Sequence, residues 1–134
     1  MKFQLTSPCS SCPFRSDITF YLYPARAQEI LDAILVHDQT FACHKTTTHD
    51  EEGNACHAPD EQHCAGALIL AERLGIPNQL TRIMARLGLY DRTKLHMDAP
   101  VFLSPASMLT RMRGLHRLAR KTLKTSRFST RCLR

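Results

Sequence analysis

The sequence has no tryptophan, and aromatic residues make up only 7% of its 134 residues. A single domain of this length buries about two-thirds of the surface of its unfolded chain. With so few large side chains, we expect one thin hydrophobic core. A cross-link or a bound metal would therefore supply much of the stability of the fold.

Long apolar runs are also missing, since no stretch approaches the roughly 18 residues that span a bilayer. The first residues, Met1 to Thr6, lack the apolar segment of a secretory signal. We therefore expect a cytoplasmic protein with reduced cysteines. In a reducing compartment, six cysteines in a short chain more often bind metal or perform redox chemistry than form structural disulfides.

Acidic residues are absent from the C-terminal segment. Residues 105–134 hold nine Lys and Arg without any Asp or Glu, whereas residues 1–104 have a net charge of −3. This basic arm predicts an acidic partner, either nucleic acid or an acidic protein surface, with a membrane surface as a further alternative. Direct reading of bases is not indicated, because no helix-turn-helix turn, RNA-recognition signature or spacing of two cysteines and two histidines is present.

Helical periodicity dominates the remaining sequence. It predicts helices over residues 24–36, over residues 65–74 before Gly75, and from Pro77-Asn78 to Gly88. A last helix begins near Ser104-Pro105, with an apolar face opposite its cations. The face is formed by Met108, Met112, Leu115 and Ala119.

Little β structure is predicted. Residues 39–44 alternate weakly and suit one short strand that carries Cys43 inward, and residues 45–63 read as a polar loop. We predict a mainly α, metal-stapled single domain of about four helices plus a basic C-terminal helix and tail. Its two parts are a cysteine-rich metal-binding region, residues 1–104, and the basic arm, residues 105–134.

The strongest local signal for chemistry is Cys9-x2-Cys12. Two thiolates three positions apart in a tight knuckle chelate one ion with little strain, although redox pairs and unrelated thiols share the spacing. Two further cysteines suit the remaining ligand positions. Cys43 directly precedes His44, and Cys64 lies at a helix start, where amide donors and the helix dipole favour a thiolate. The alternative for these two is simple burial as small apolar side chains.

Three sequence blocks occur together and in order: Cys-x2-Cys-Pro-Phe-Arg from Cys9, Phe-x-Cys-His-Lys from Phe41, and Gln-x-Cys-Ala-Gly from Gln62. In combination they resemble a family of small, functionally uncharacterised proteins encoded mainly by phages, prophages and actinobacteria. The resemblance covers about residues 5–104 and leaves the arm outside. It implies no activity, and it suggests the cytoplasm of a bacterial or phage-infected host cell. It also implies a shared set of four cysteines, which maps onto Cys9, Cys12, Cys43 and Cys64.

Other side chains compete for the same ligand positions. Cys56 lies in a loop that the family allows to vary and is a lesser candidate, and Cys132 in the arm is expected to be free. Among the histidines His44 is the best candidate ligand. The remaining loop histidines are expected to be solvated, namely His49, His57 and His63.

Four thiolates fit tetrahedral zinc and equally fit a four-iron, four-sulfide cluster. We favour Zn²⁺, because a closed structural site needs no assembly machinery and the sequence shows no redox partner. A 4Fe-4S cluster is the alternative.

These features predict a metal-binding regulatory module of the phage type, without catalytic residues, that contacts nucleic acid or host machinery through its arm. The predicted contact residues are Arg113, Arg117, Arg120, Lys121, Lys124 and Arg127. An iron–sulfur or thiol-based redox protein or sensor is the alternative, whereas a zinc hydrolase is the least expected because four thiolates close the site. The end of the arm, residues 126–134, is expected to be disordered without a partner.

Overall fold

The computed structural model describes residues 1–56 and 58–129, with backbone alone for residues 123–129. The elements are α1 (Pro24–Leu35), β1 (Thr48–His49), β2 (Ala55–Cys56), α2 (Ala65–Arg73), α3 (Gln79–Arg86), a 3₁₀ helix (Arg92–Lys94) and α4 (Pro105–Ser129). The prediction of a small, mainly α domain with little β structure is confirmed. Among the described residues, three α-helices precede α4, and the 3₁₀ helix brings the number of helices before α4 to the predicted four.

Helix α2 is the centre of the core. Its residues 65–71 are all buried, which matches a sequence of Ala, Gly, Leu and Ile without a polar face. The helix ends where Gly75 adopts a φ of +72°, a left-handed conformation that glycine reaches without strain. Helix α1 covers the core with Ala27, Ile30 and Ile34, which recur at helical spacing after a proline in the first turn.

Helix α4 is both part of the core and the basic segment of the chain. It packs mainly against α1, and its Met108 and Met112 side chains are fully buried. The helix begins at the predicted position, where the Ser104 hydroxyl accepts a hydrogen bond from the Ser107 N–H at 3.2 Å. The first turns of the basic arm therefore close the core of the same domain.

The β structure differs from the prediction in detail. Residues 39–44 do not form a strand, because only Ala42 pairs, in an isolated antiparallel bridge with His63. The predicted loop at 45–63 contains the short β1–β2 hairpin instead, in which Thr48 pairs with Cys56. Strand alternation is too weak over two to six residues to locate such pairings from sequence.

The C-terminal helix is longer than predicted, since it continues to Ser129 and includes part of the segment expected to be disordered. Residues 130–134, with Cys132, lie outside the described residues. Within residues 1–56 and 58–129, none of the helices combines the length and the apolar character needed to cross a membrane.

Candidate functional site

The Cys9–Cys12 segment folds into two successive tight turns. The Cys12 N–H donates to the Cys9 carbonyl and the Arg15 N–H donates to the Cys12 carbonyl, each at 3.1 Å. The backbone N–H groups of Ser11 and Phe14 point at the sulfurs of Cys9 and Cys12, respectively. Such N–H···S bonds stabilise a thiolate, as the knuckle predicted from the CxxC spacing requires.

The other two cysteines are brought together by the isolated bridge. The Cys43 N–H donates to the Gln62 carbonyl and the Cys64 N–H donates to the Phe41 carbonyl, both at 2.8 Å. Residues adjacent to a bridged pair share one face of the extended segments. Cys43 and Cys64 therefore lie on the same face, and both are buried.

The four cysteines contact each other in two pairs at the edge of the core, and we call Cys9, Cys12, Cys43 and Cys64 the cysteine cluster. The Cys12 and Cys64 Sγ atoms are 3.6 Å apart, and the Cys9 side chain hydrogen-bonds with Cys43. A disulfide would need about 2.05 Å, so these are free thiols. Sulfurs bound to one zinc ion at about 2.3 Å in a tetrahedron lie about 3.8 Å apart. The Cys12–Cys64 distance is thus close to the edge of a zinc–thiolate tetrahedron.

The protonation of the Cys12–Cys64 pair is asymmetric. The pKa of the Cys12 thiol is lowered by the hydrogen bond from Cys64, and N–H groups of Phe14 and Gly66 add to this effect against the opposing effect of burial. The pKa of Cys64 is raised well above its ordinary value by the same hydrogen bond and by burial. The Cys12 thiol is therefore the more acidic of the two.

Gly66 explains the glycine in the Cys-Ala-Gly block. A Cβ atom at this position would lie 2.5 Å from Cys12 Sγ and 3.0 Å from Phe14 Cβ. The sulfur of Cys12 can approach the N-terminus of α2 this closely only because glycine has no side chain. There the Gly66 N–H donates to the sulfurs of both Cys12 and Cys64.

Further residues within and directly after the sequence blocks support the cluster, although the sequence alone assigned them no role. The Lys45 ammonium donates to the Ser10 hydroxyl at 2.7 Å and so ties the second block to the knuckle. The hydroxyls of Thr46 and Thr47 both donate to the Cys43 carbonyl, at 2.9 and 3.2 Å. These contacts hold the chain after Cys43 in a tight turn.

The lesser candidate ligands lie elsewhere. His44 is exposed, and Cys56 is exposed on β2, with its sulfur 3.8 Å from the Asn54 carbonyl oxygen. His49 is exposed on β1, and His57 falls outside the described residues. The structure does not bring any of the described ones into the cysteine cluster.

His63 is a correction to the sequence analysis, which expected it to be solvated. Its side chain is buried beside Phe3, with ring centroids 5.2 Å apart. Burial lowers the pKa of His63 to about 4. The ring is therefore neutral at pH 7, and its Nε2 atom has no hydrogen-bond partner among the described residues.

The cysteine cluster is not arranged as a finished coordination shell. In the part of the chain that the structure describes, no group of three or more His, Cys, Asp or Glu side chains is placed to hold a metal ion. The four sulfurs form two contacting pairs, Cys12 with Cys64 and Cys9 with Cys43. The donor set itself suits a soft divalent ion, because it offers four thiols, N–H donors and low exposure to water.

The predicted contact residues of α4 share an exposed face. Arg113, Arg117 and Arg120 follow one another at helical spacing, and they are exposed with Lys121. We call these four residues the cationic face. Among the described residues the three arginines have no hydrogen-bond or ion-pair partner. The side chains of Lys124 and Arg127 lie outside the description, although their backbone continues the helix.

Comparison with known proteins gives a family and no activity. No curated protein and no solved structure matches the chain. A family model matches residues 4–127, which includes most of α4. The prediction that the family resemblance ends near residue 104 is therefore wrong. The chain belongs to the family of unknown function DUF6283.

Proposed function

We propose that the protein is a small zinc-binding module that contacts nucleic acid through the cationic face of α4. The observation that carries the metal proposal is the 3.6 Å separation of the Cys12 and Cys64 sulfurs at a helix N-terminus. Backbone N–H groups donate to both sulfurs. Zinc would be held by Cys9, Cys12, Cys43 and Cys64, after side-chain rotations that bring the two pairs together.

The same distance favours zinc over an iron–sulfur cluster. In a four-iron cluster each thiolate binds a different iron, so the ligand sulfurs lie farther apart than sulfurs that share one ion. The Cys12–Cys64 contact at 3.6 Å suits a shared ion. Four thiolates leave no open position for water or substrate, and the role we propose for the metal is to stabilise the fold.

Charge supports nucleic acid as the partner. The exposed arginines of the cationic face have no acidic neighbour on α4, since residues 105–134 lack Asp and Glu. Each arginine that contacts a phosphate releases condensed counterions, which favours binding at low salt. We propose a regulatory role of the phage type in a reducing cytoplasm, with an acidic host protein as the competing partner.

The metal proposal is tested by metal analysis and visible absorption of protein purified without oxygen. We expect about one zinc ion per chain and no colour. The zinc should be lost in Cys12→Ser and kept in Cys56→Ser, a matched control because Cys56 is an exposed cysteine outside the cluster. Iron with sulfide and a brown colour would contradict the zinc proposal and favour the redox alternative. Absence of both metals would contradict the proposal of a metal site.

The nucleic-acid proposal is tested by titration at several salt concentrations. We expect affinity to fall linearly on a log–log plot, and replacement of Arg117 and Arg120 by Gln to make the slope shallower by about 0.7 to 0.9 per lost phosphate contact. Replacement of Arg82 and Arg86 on α3 by Gln removes the same charge from another exposed helix and should leave the slope unchanged. Absence of binding at low salt would overturn nucleic acid as the partner.

A further inference from the structure

Three aromatic rings form a cluster where the chain enters α1 and meets α4. The Tyr21 hydroxyl hydrogen-bonds with His116 Nδ1 at 2.6 Å, and the two rings are nearly parallel, with centroids 6.3 Å apart. Tyr23 contacts both, with centroid distances of 5.4 Å to Tyr21 and 5.8 Å to His116. We call Tyr21, Tyr23 and His116 the aromatic cluster.

This cluster lies on the surface in a protein that has few aromatic residues. Tyr21 is 41% exposed and Tyr23 is 63% exposed, whereas Tyr90, the third tyrosine of the chain, is 6% exposed. Aromatic side chains contribute more to stability when buried. Two neighbouring tyrosines left in water therefore indicate a surface that serves binding.

The aromatic cluster borders the cationic face. His116 lies three residues after Arg113 and four residues before Arg120, and residues at these spacings are neighbours on a helix surface. Two acidic side chains at and before α1 are already paired, Glu29 with Arg26 at 2.9 Å and Asp17 with Arg15 at 2.6 Å. Rings and arginines without a partner among the described residues thus adjoin each other on one surface.

We propose that this combined surface binds single-stranded nucleic acid, with bases stacked on Tyr23 and the adjoining rings while phosphates lie along the cationic face. The inference rests on the proposed nucleic-acid function and adds that the bound nucleic acid is single-stranded. Bases in a duplex are already stacked on each other, so their faces reach a protein ring only in single strands or loops. Stacking also tolerates any sequence, in keeping with the absence of base-reading motifs.

The rings are held in place before any ligand arrives. The hydrogen bond to His116 orients Tyr21. Tyr23 occupies the N-cap position of α1 immediately before Pro24, whose ring restricts the backbone there. A preorganised ring loses little conformational entropy on binding, which favours affinity.

The test measures fluorescence anisotropy of one labelled oligonucleotide as single-stranded DNA, single-stranded RNA and duplex DNA. We expect tighter binding of single strands than of the duplex. Tyr23→Leu, which keeps apolar bulk but removes the ring, should weaken single-strand binding about tenfold without changing the salt slope. Tyr23→Phe keeps the ring and should bind like the wild type. The DNA and RNA arms distinguish the two sources of single strands.

An abasic oligonucleotide of the same length gives a second, independent readout, because it has the phosphates without the bases. The wild type should bind it at least as weakly as Tyr23→Leu binds the normal strand, because it loses the stacking on every ring. If Tyr23→Leu retains full affinity, or the duplex binds as well as the single strand, the stacking inference is overturned while the cationic face stands. If no strand binds and the Arg117 and Arg120 replacements change nothing, the proposed nucleic-acid function fails with it.

Discussion

The cysteine cluster and the cationic face are organised in opposite ways. The cysteine cluster is largely buried, and backbone hydrogen bonds and close contacts with Gly66 hold it in place. The cationic face is exposed, and its three arginines lie near like charges without ionic partners in the described part of the chain. Substitutions in the first region should therefore reduce stability, whereas substitutions in the second should reduce binding and leave the fold intact.

Removal of the proposed zinc from the cysteine cluster should have the largest effect on stability. Structural zinc sites contribute about 10 kcal/mol or more of apparent free energy in small domains. We expect a strong chelator to lower the thermal midpoint by more than any single substitution discussed below, as followed by circular dichroism. Chelator saturated with zinc is the control, and an unchanged midpoint in both samples would contradict a structural metal.

The next largest effect is expected in α4, because this helix has both buried core side chains and exposed side chains. Met112 is 1% exposed and Leu118 is 62% exposed. Met112→Ala should lower the free energy of unfolding by about 2–5 kcal/mol, because it leaves a cavity in the core. Leu118→Ala should change it by less than about 0.5 kcal/mol. Urea unfolding measures both, and equal losses would mean that α4 does not pack as described.

Two glycines provide a matched test of the close approach at the cysteine cluster. Gly66→Ala places a Cβ 2.5 Å from Cys12 Sγ, and overpacking of this kind costs about 1–3 kcal/mol. Gly114→Ala meets no atom within 4 Å on α4 and should stabilise the helix by about 0.4–1 kcal/mol. Opposite shifts in the urea midpoint are expected, together with loss of zinc in the first variant alone. Shifts of the same sign would argue against the close contact.

The smallest change in stability is expected on the cationic face itself. Replacement of Arg113, Arg117 and Arg120 by Gln removes repulsion between like charges at helical spacing, so the free energy of unfolding should stay within about 0.5 kcal/mol or rise slightly. Nucleic-acid affinity should fall in the same protein. A marked loss of stability would show that these side chains support the fold and would remove the contrast between the two regions.

Local signals in the sequence were enough to locate most helices. Pro24 and Pro105 lie at the first positions of α1 and α4, and Gly75 and Gly88 follow the ends of α2 and α3 with positive φ values. Proline and glycine act on their own backbone, so their effect is readable without a partner. The prediction of a mainly α fold was confirmed for this reason.

Features that depend on distant contacts were missed or misplaced. The strand expected at residues 39–44 is a single bridge, and His63, expected to be solvated, is buried. The aromatic cluster was not predicted at all, because Tyr21 and His116 are 95 residues apart in the chain. A signal for it was present in the two closely spaced tyrosines before Pro24, but their partner lies in another helix.

The sequence by itself determined the charge asymmetry, the helix ends and the presence of cysteines at chelating spacing. Each of these depends on neighbouring residues or on composition. Only the tertiary structure decided that Cys12 contacts Cys64, 52 residues away, and that Cys9 lies against Cys43. It also decided that the basic helix begins inside the core. Separation along the chain carries no information about distance in space once segments are packed, because burial of apolar surface and backbone hydrogen bonds select the contacts.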